Sequence, residues 1–481
     1  MTETHETHYT ENVQDHLQQI QNLLDQLNLS ESQQQEIPFE KEGLSTEILA
    51  TAQHLSILRE KLGSLHPADV AFILEALPID QRLLVWELVK ADRDGEILIE
   101  VSDAVRESLI ATMSRDELRV AAEQLDTDEI ADLAPDLPHA VMRDVFKSLS
   151  IEDREQLRAA MSYPEDAVGA LMDFDMVTIR EDVTLEVVSR YLRRFEELPD
   201  HTDQLFIVDR DDRFKGVLPL NRLLVNEPEM EVTGLMMTET ITLHPDDNAE
   251  QAAQAFERYD LVSAPIVDED GKLLGRLTVN TVMDYIRAES ESDVLNLAGL
   301  REEEDIFASV WKSAKNRWMW LALNLCTAFF ASRVIGSFEG TIEKFVALAT
   351  LMPIVAGMAG NSANQTTTII IRSLALGQIN PANARRMINK ELWIGAFNGL
   401  VWGGVAGLFA YLLYQNILLG IIMTSAMLLN LLLGAMAGLL IPLAMQRMGR
   451  DPAIGSSVLL TAITDSGGFF IFLGLATLFL V

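Results

Sequence analysis

Cysteine is almost missing. The lone Cys326 among 481 residues excludes a disulfide framework and a thiolate metal cluster. Histidine is sparse: His5, His8, His16, His54, His66, His139, His201 and His244 are scattered and read as surface residues. Walker A loop, nucleophile elbow and His-rich metal triad are all lacking, so enzyme chemistry has no candidate. The first thirty residues carry no apolar core of a signal peptide, so none is expected. Late in the chain it is charge that is missing. No Asp, Glu, Lys or Arg occurs from Phe345 to Ile371 or from Leu392 to Gln446.

Elsewhere acid is abundant. The chain has 37 Lys and Arg against 72 Asp and Glu, a net charge of −35, yet is 48% hydrophobic. The two properties are segregated. From Arg317 onward there are nine bases and five acids, so the first 316 residues hold 28 bases and 67 acids, a net −39. An acidic soluble part is joined to an apolar, mildly basic one. Nucleic acid is excluded as a partner of the first part, because its phosphates would be repelled.

At ~20 residues per crossing, the apolar part predicts five spans, at about 316–336, 345–371, 392–413, 418–445 and 453–479. With the large N-terminal part in the cytosol, inside flanks carry Lys312, Lys315, Arg317, Arg372, Arg385, Arg386, Lys390, Arg447 and Arg450. Outside flanks carry only Arg333 and Lys344. This asymmetry predicts a multi-pass protein of the inner (plasma) membrane, with a cytosolic N-terminus and an external C-terminus.

Two spans carry polar stripes. Asn361, Gln365 and Thr368 share one face of the second, which Pro353 and Gly360 interrupt. Ser457, Thr461, Asp465 and Gly468 line the fifth. A mid-membrane Asp costs ~2.5–3.5 kcal/mol, so it faces a bundle interior or a wet cavity. A cation is the simplest partner for Asp465; a protonated or hydrogen-bonded structural Asp is the alternative. The amide stripe reads either as pore lining or as glue between helices.

The acidic part has three patterns. Residues 1–45, rich in Gln, Glu, Thr and Ser, predict a mobile acidic arm with one short amphipathic stretch near Leu17–Leu27. Residues 46–161 are helical. Val70, Ala71, Ile73, Leu77, Pro78 and Val85 recur sixty residues later as Ile130, Ala131, Leu133, Leu137, Pro138 and Val145, which predicts a small superhelical domain. Asp128 and Asp132 adjoin on one helix there, a pattern usual for a solvated face. Residues 162–227 and 228–284 repeat one α/β module. Leu205-Phe206-Ile207-Val208-Asp209 returns as Ala264-Pro265-Ile266-Val267-Asp268 at an offset of 59, and such copies pair into a disc. Residues 285–314 predict a connecting helix that leads into the first span.

The tandem modules resemble CBS domains, and the whole order resembles the MgtE family of magnesium channels and transporters over roughly residues 45–481. The membrane motifs that carry it are Pro353-x6-Gly360-Asn361-x3-Gln365, Asp451-Pro452-Ala453 and Asp465-x-x-Gly468. The resemblance implies a helical N domain, a CBS pair, a "plug" helix and a five-span membrane domain. It implies a homodimer in the bilayer whose single Mg²⁺ pore is lined by the second and fifth spans. Asp465 then matches the pore aspartate, with Pro353, Gly360, Asn361, Gln365, Thr461 and Gly468 lining the pore. The resemblance further implies regulatory Mg²⁺ at Asp128, Asp132, Asp247, Asp284, Glu289 and Asp293. It also allows ATP or another nucleotide at the CBS pair. A related carrier of Co²⁺, Ni²⁺ or Zn²⁺ is the alternative; softer metals favour His or Cys, and the spans hold only Cys326. After Thr278-Val279 this chain has Asn280-Thr281 where relatives carry adjacent acids, and Arg287 replaces another acid. Closure is therefore expected to need more Mg²⁺ or another ligand.

Overall fold

The computed structural model describes residues 13–27, 44–89, 91–300, 305–375, 378–379, 381–452 and 455–481. The chain divides into two units, 1–288 with 304–308, and 289–303 with 309–481.

The first unit opens with helix α1, residues 13–27. Nine more helices follow: α2 (Leu44–Ser64), α3 (Pro67–Glu75), α4 (Ile79–Leu88), α5 (Asp94–Glu100), α6 (Asp103–Ile110), α7 (Arg115–Ala122), α8 (Thr127–Leu133), α9 (His139–Ser148) and α10 (Ile151–Ala160). Most are short, and capping residues fix where several begin. Ser114 with Glu117 and Asp126 with Glu129 form capping boxes that begin α7 and α8. One apolar core runs through them all, including Val70, Ile73, Leu77, Val85, Ile130, Leu133 and Val145 of the repeat. Ile20, Leu24 and Leu27 of α1 are buried in this same core. The helix falls on the amphipathic stretch expected near Leu17–Leu27, and its apolar residues at i, i+4 and i+7 are buried in that core, where burial outweighs the ordering entropy. The remainder of 1–43 lies outside the described residues.

The paired α/β modules follow. The first has β1 (Thr178–Arg180), α11 (Leu185–Leu192), β2 (Gln204–Val208), β3 (Phe214–Pro219) and α12 (Leu220–Val225). β1 lies parallel to β2, with Thr178 opposite Phe206, and β2 is antiparallel to β3. The second has α13 (Ala249–Tyr259), β4 (Ser263–Val267) and β5 (Leu273–Thr278). Its counterpart of β1 is reduced to a single parallel bridge, Leu243 to Ile266. Both copies shift register at the same place, between Ile207 and Val208 and between Ile266 and Val267. Both then turn on an aspartate. Asp209 Oδ1 accepts the amides of Asp211 and Arg213, and Asp268 Oδ1 those of Asp270 and Lys272. The copies meet where Gln204 Nε2 donates to Ser263 and Ser263 Oγ donates to Asp203 at 2.6 Å. Helix α14 (Val279–Ala298) leaves β5 directly.

The second unit is helical: α15 (Val310–Gly336), α16 (Glu339–Lys344), α17 (Ala347–Ala375), α18 (Pro381–Tyr414), α19 (Ile417–Arg447) and α20 (Ser456–Phe479). The chain reverses at Gln415, whose φ is 51°, and Asn416 caps α19 by accepting the amides of Leu418 and Leu419. Four described helices are long and apolar enough to cross a membrane: Val310–Gly336, Arg385–Tyr414, Ile417–Arg447 and Ser456–Phe479. Helix α17 is not among them; its Asn361, Asn364, Gln365 and threonines dilute its apolar character. Close packing comes from small residues. A Cβ on Gly399, Gly403 or Gly407 of α18 would come within 2.8, 2.9 or 2.1 Å of α19 atoms. One on Gly434 or Gly438 of α19 would approach the carbonyls of Ala359 and Ala363 on α17 at 3.0 and 2.6 Å.

Candidate ion pathway and acidic gating surfaces

Helix α17 has two faces. Ala359, Ala363, Thr366, Thr367 and Ile370 are buried, whereas Asn361, Gln365 and Thr368 are exposed. Amides that glued helices together within this chain would be buried, so the stripe is not internal glue. Pro353 is also exposed, and Gly360 is half-buried facing Thr464 of α20, whose Oγ1 a Cβ would meet at 3.6 Å. On α20, Thr461 is exposed and donates to its own helix at Ser457 O, 2.8 Å away. Asp465 is half-buried, and among the described residues no Lys, Arg or His pairs with it.

Gly468 lies one turn beyond Asp465. It is buried, and a Cβ there would lie 2.3 Å from Nδ2 of Asn430 on α19. The glycine makes room there for a neighbouring amide. Asn430 is fully buried; it donates to Val355 O at 3.1 Å, while its Oδ1 has no partner. A second buried polar contact lies behind α17, where Thr366 Oγ1 donates to Glu391 Oε2 at 3.1 Å. Glu391 is 7% exposed. Sequence reasoning passed over both residues. Glu391 sits beside Lys390 at the rim of an uncharged run, and Asn430 interrupts a run of leucines.

The acids of the first unit sort into pairs. Burial pushes the Asp128 carboxyl up to about 7, with Asp173 the next cause. Asp173 accepts a 2.7 Å hydrogen bond from buried Arg276, so its own charge is partly balanced. Crowding by the surrounding chain also pushes Asp132, whose own surface is exposed, up to about 6; Arg106 opposes this, and Asp284 and Asp103 add to it. Asp284 is itself raised by burial and lowered by Arg287. The Asp284 charge thus acts on Asp132; Arg106 tempers Asp132 and Arg287 tempers Asp284. In the second unit, Asp293 is raised by burial and by Asp451. Glu289 is exposed. Asp247 stands apart from these pairs: its Oδ2 accepts the His244 amide at 2.7 Å in a local turn. Asn280 Nδ2 meets His201 Nε2 at 2.5 Å, and Thr281 Oγ1 meets Thr278 Oγ1 at 2.9 Å. Among the described residues no group of three or more His, Cys, Asp or Glu is assembled for a metal. Paired, partly desolvated carboxylates are hard oxygen donors that suit a hydrated Mg²⁺ bridging two surfaces better than a closed cage.

Comparisons with known proteins agree across the chain. A family model described as the MgtE intracellular N domain matches residues 65–166. The CBS domain model matches 168–227 and 232–288, and MgtE, divalent cation transporter, matches 352–475. The magnesium transporter MgtE of Thermus thermophilus is 30% identical over 431 residues, covering 88% of this chain and 95% of its own length. That of Bacillus subtilis is 27% identical over 422 residues, covering 88% and 94%. A crystal structure of the cytosolic domain of the Mg²⁺ channel MgtE in complex with ATP shares 31% identity. It covers 47% of this chain and 93% of that one at a TM-score of 0.44.

Proposed function

The chain belongs to the MgtE family of magnesium transporters, and from that premise we propose that it carries Mg²⁺ across the membrane into the cytosol. The observation that carries the site assignment is the open polar stripe of α17 (Asn361, Gln365, Thr368) on a helix packed against α20. There Asp465 is half-buried without a basic partner among the described residues. A polar stripe facing lipid is costly. A second copy of the chain, closing two stripes around one axis, removes that cost and sets two Asp465 carboxylates about one pathway. Mg²⁺ sheds water reluctantly, so two carboxylates hold it through its waters and release it again. Five spans, with α17 the second, give a cytosolic N-terminus and an external C-terminus in the inner membrane.

Regulation rests on the paired acids. Asp128 with Asp173, Asp132 with Asp284, and Asp293 with Asp451 repel when no cation is present. Mg²⁺ bound between them favours the closed arrangement, a two-state element biased by its ligand. For Asp247 and Glu289 a regulatory role rests on the family resemblance alone. Asn280 and Thr281 supply no carboxylate, so closure takes more Mg²⁺ than in relatives, or a nucleotide at the CBS pair. Carriage of Co²⁺, Ni²⁺ or Zn²⁺ is the weaker reading, since the stripes offer oxygen ligands and Cys326 lies on α15.

The test is uptake of Mg²⁺, Co²⁺ and Ni²⁺ into liposomes, with Mg²⁺ varied on the side of the acidic domain. Asp465→Ala is expected to abolish Mg²⁺ uptake. Normal uptake by that variant overturns the pathway, and full closure at low-millimolar Mg²⁺ without nucleotide overturns the assigned effect of Asn280 and Thr281.

A further inference from the structure

The helical domain contains a buried arginine whose partner comes from far along the chain. Arg82 on α4 is wholly inaccessible. Its Nε donates to Leu74 O at 2.8 Å and its Nη2 to Leu77 O at 3.1 Å, closing the end of α3. Its Nη1 reaches Ser108 Oγ at 3.4 Å. The two remaining directions of the guanidinium meet both oxygens of Asp305, at 2.6 and 3.1 Å. This is the fork geometry of a strong bidentate pair. The Asp305 side chain is 7% exposed. It is held for the purpose: Asp305 Oδ1 accepts the Phe307 amide at 2.9 Å, and Asp305 O accepts that of Ala308.

A second arginine of the same domain shows that this position is built for a carboxylate. Arg106 does what Arg82 does. Arg106 Nε donates to Leu98 O at 2.7 Å, eight residues back as Leu74 is from Arg82, and its Nη2 donates to Val101 O at 3.1 Å. Its carboxylates come from within the domain: Asp136 and Asp103, each at 3.2 Å. At Arg82 the matching carboxylate comes instead from residue 305, four residues before Ser309, the cap of α15. A buried guanidinium left unpaired is strongly unfavourable, so the Arg82 site is complete only when the connecting chain is docked.

We propose that the Arg82 pocket is a receptor for Asp305, a latch that fastens the helical domain to the chain leading into α15 by a direct charge pair. Its logic is opposite to that of the paired acids. It joins unlike charges, needs no metal, and sets how firmly the linker is held when Mg²⁺ is absent. The latch stands whichever cation the membrane part conducts.

The test is amide hydrogen exchange on the full-length protein in detergent, without Mg²⁺. Asp305→Asn keeps an oxygen to accept the Phe307 amide but removes the charge. It is expected to speed exchange at residues 307 and 308, and also in α4 on the far side of the pair, by roughly 10- to 100-fold. Asp305→Glu is expected to recover part of the protection. Arg82→Met with Asp305→Leu, which removes both charges, is expected to protect α4 better than Asp305→Asn alone. Exchange in α4 unchanged by Asp305→Asn, or faster only at 307 and 308, overturns the latch. Because Asp305 belongs to the linker, the result does not depend on whether Arg82 variants fold.

Discussion

Replacing Asp128 by Asn should make the helical domain more stable when Mg²⁺ is absent. Burial and the Asp173 charge raise its carboxyl from 3.8 to about 7. At about 1.4 kcal/mol per tenfold, the cost of holding it ionised at neutral pH is at most ~4 kcal/mol. Water reaches part of the group, and its place in the first turn of α8 returns ~0.3–1 kcal/mol through the helix dipole. A gain of ~1–2 kcal/mol on neutralisation is therefore expected, about 5- to 30-fold in local opening. Asn fills the same volume and can still accept a backbone amide, so packing is preserved. Hydrogen exchange of α8 at pH 7.5 reads this directly. Without Mg²⁺ the variant should be the better protected. With Mg²⁺ added, wild type should gain protection and the variant should gain less, because one ligand oxygen pair has lost its charge. Faster exchange in the Mg²⁺-free variant, or an undiminished Mg²⁺ effect, would refute the reasoning.

Two further outcomes are expected. Asp128 and Asp132 titrate near 7 and 6 in the folded chain, above the ordinary 3.8, so the native domain keeps protons that the unfolded chain has released. Their contribution is most favourable below about pH 4 and is lost as pH rises through 6 and 7. Mg²⁺ competes with those protons, so the Mg²⁺ concentration that half-protects the domain should fall several-fold from pH 6 to 8; a flat midpoint would contradict this. In the membrane unit, Gly438→Ala sets a Cβ 2.6 Å from Ala363 O, whereas Gly357→Ala meets nothing within 4 Å. The first should cost ~1–3 kcal/mol and the second almost nothing, as read by thermal unfolding in detergent; equal costs would show that the α17–α19 contact does not set stability.

Local pattern carried much of this in the sequence. Strand alternation and the offset of 59 announced the two α/β copies, because each strand end is punctuated by its own aspartate turn. The helical repeat was legible from apolar spacing, since each short helix needs the same few buried positions. Single polar residues behaved differently. Glu391, Asn430 and Arg82 gain their meaning from a partner 25, 75 or 223 positions away, and nothing local marks them. Gly468 lies on the same stripe as Ser457, Thr461 and Asp465, and the spacing alone does not reveal that Asn430 packs against it. The helix at 13–27 was legible from the spacing of Ile20, Leu24 and Leu27, but the core that receives it was not.

The row of glycines on α18 bears on what can move. With no side chains between them, the backbones of α18 and α19 interlock at Gly399, Gly403 and Gly407. A slip of one residue along the seam would drive Leu428 or Thr424 into main chain rather than into a yielding side chain. Sliding or rotation of one of these helices against the other is therefore resisted by close main-chain approach. They translate and tilt as a single beam, so any rearrangement of this unit has to be taken up along the borders of that beam.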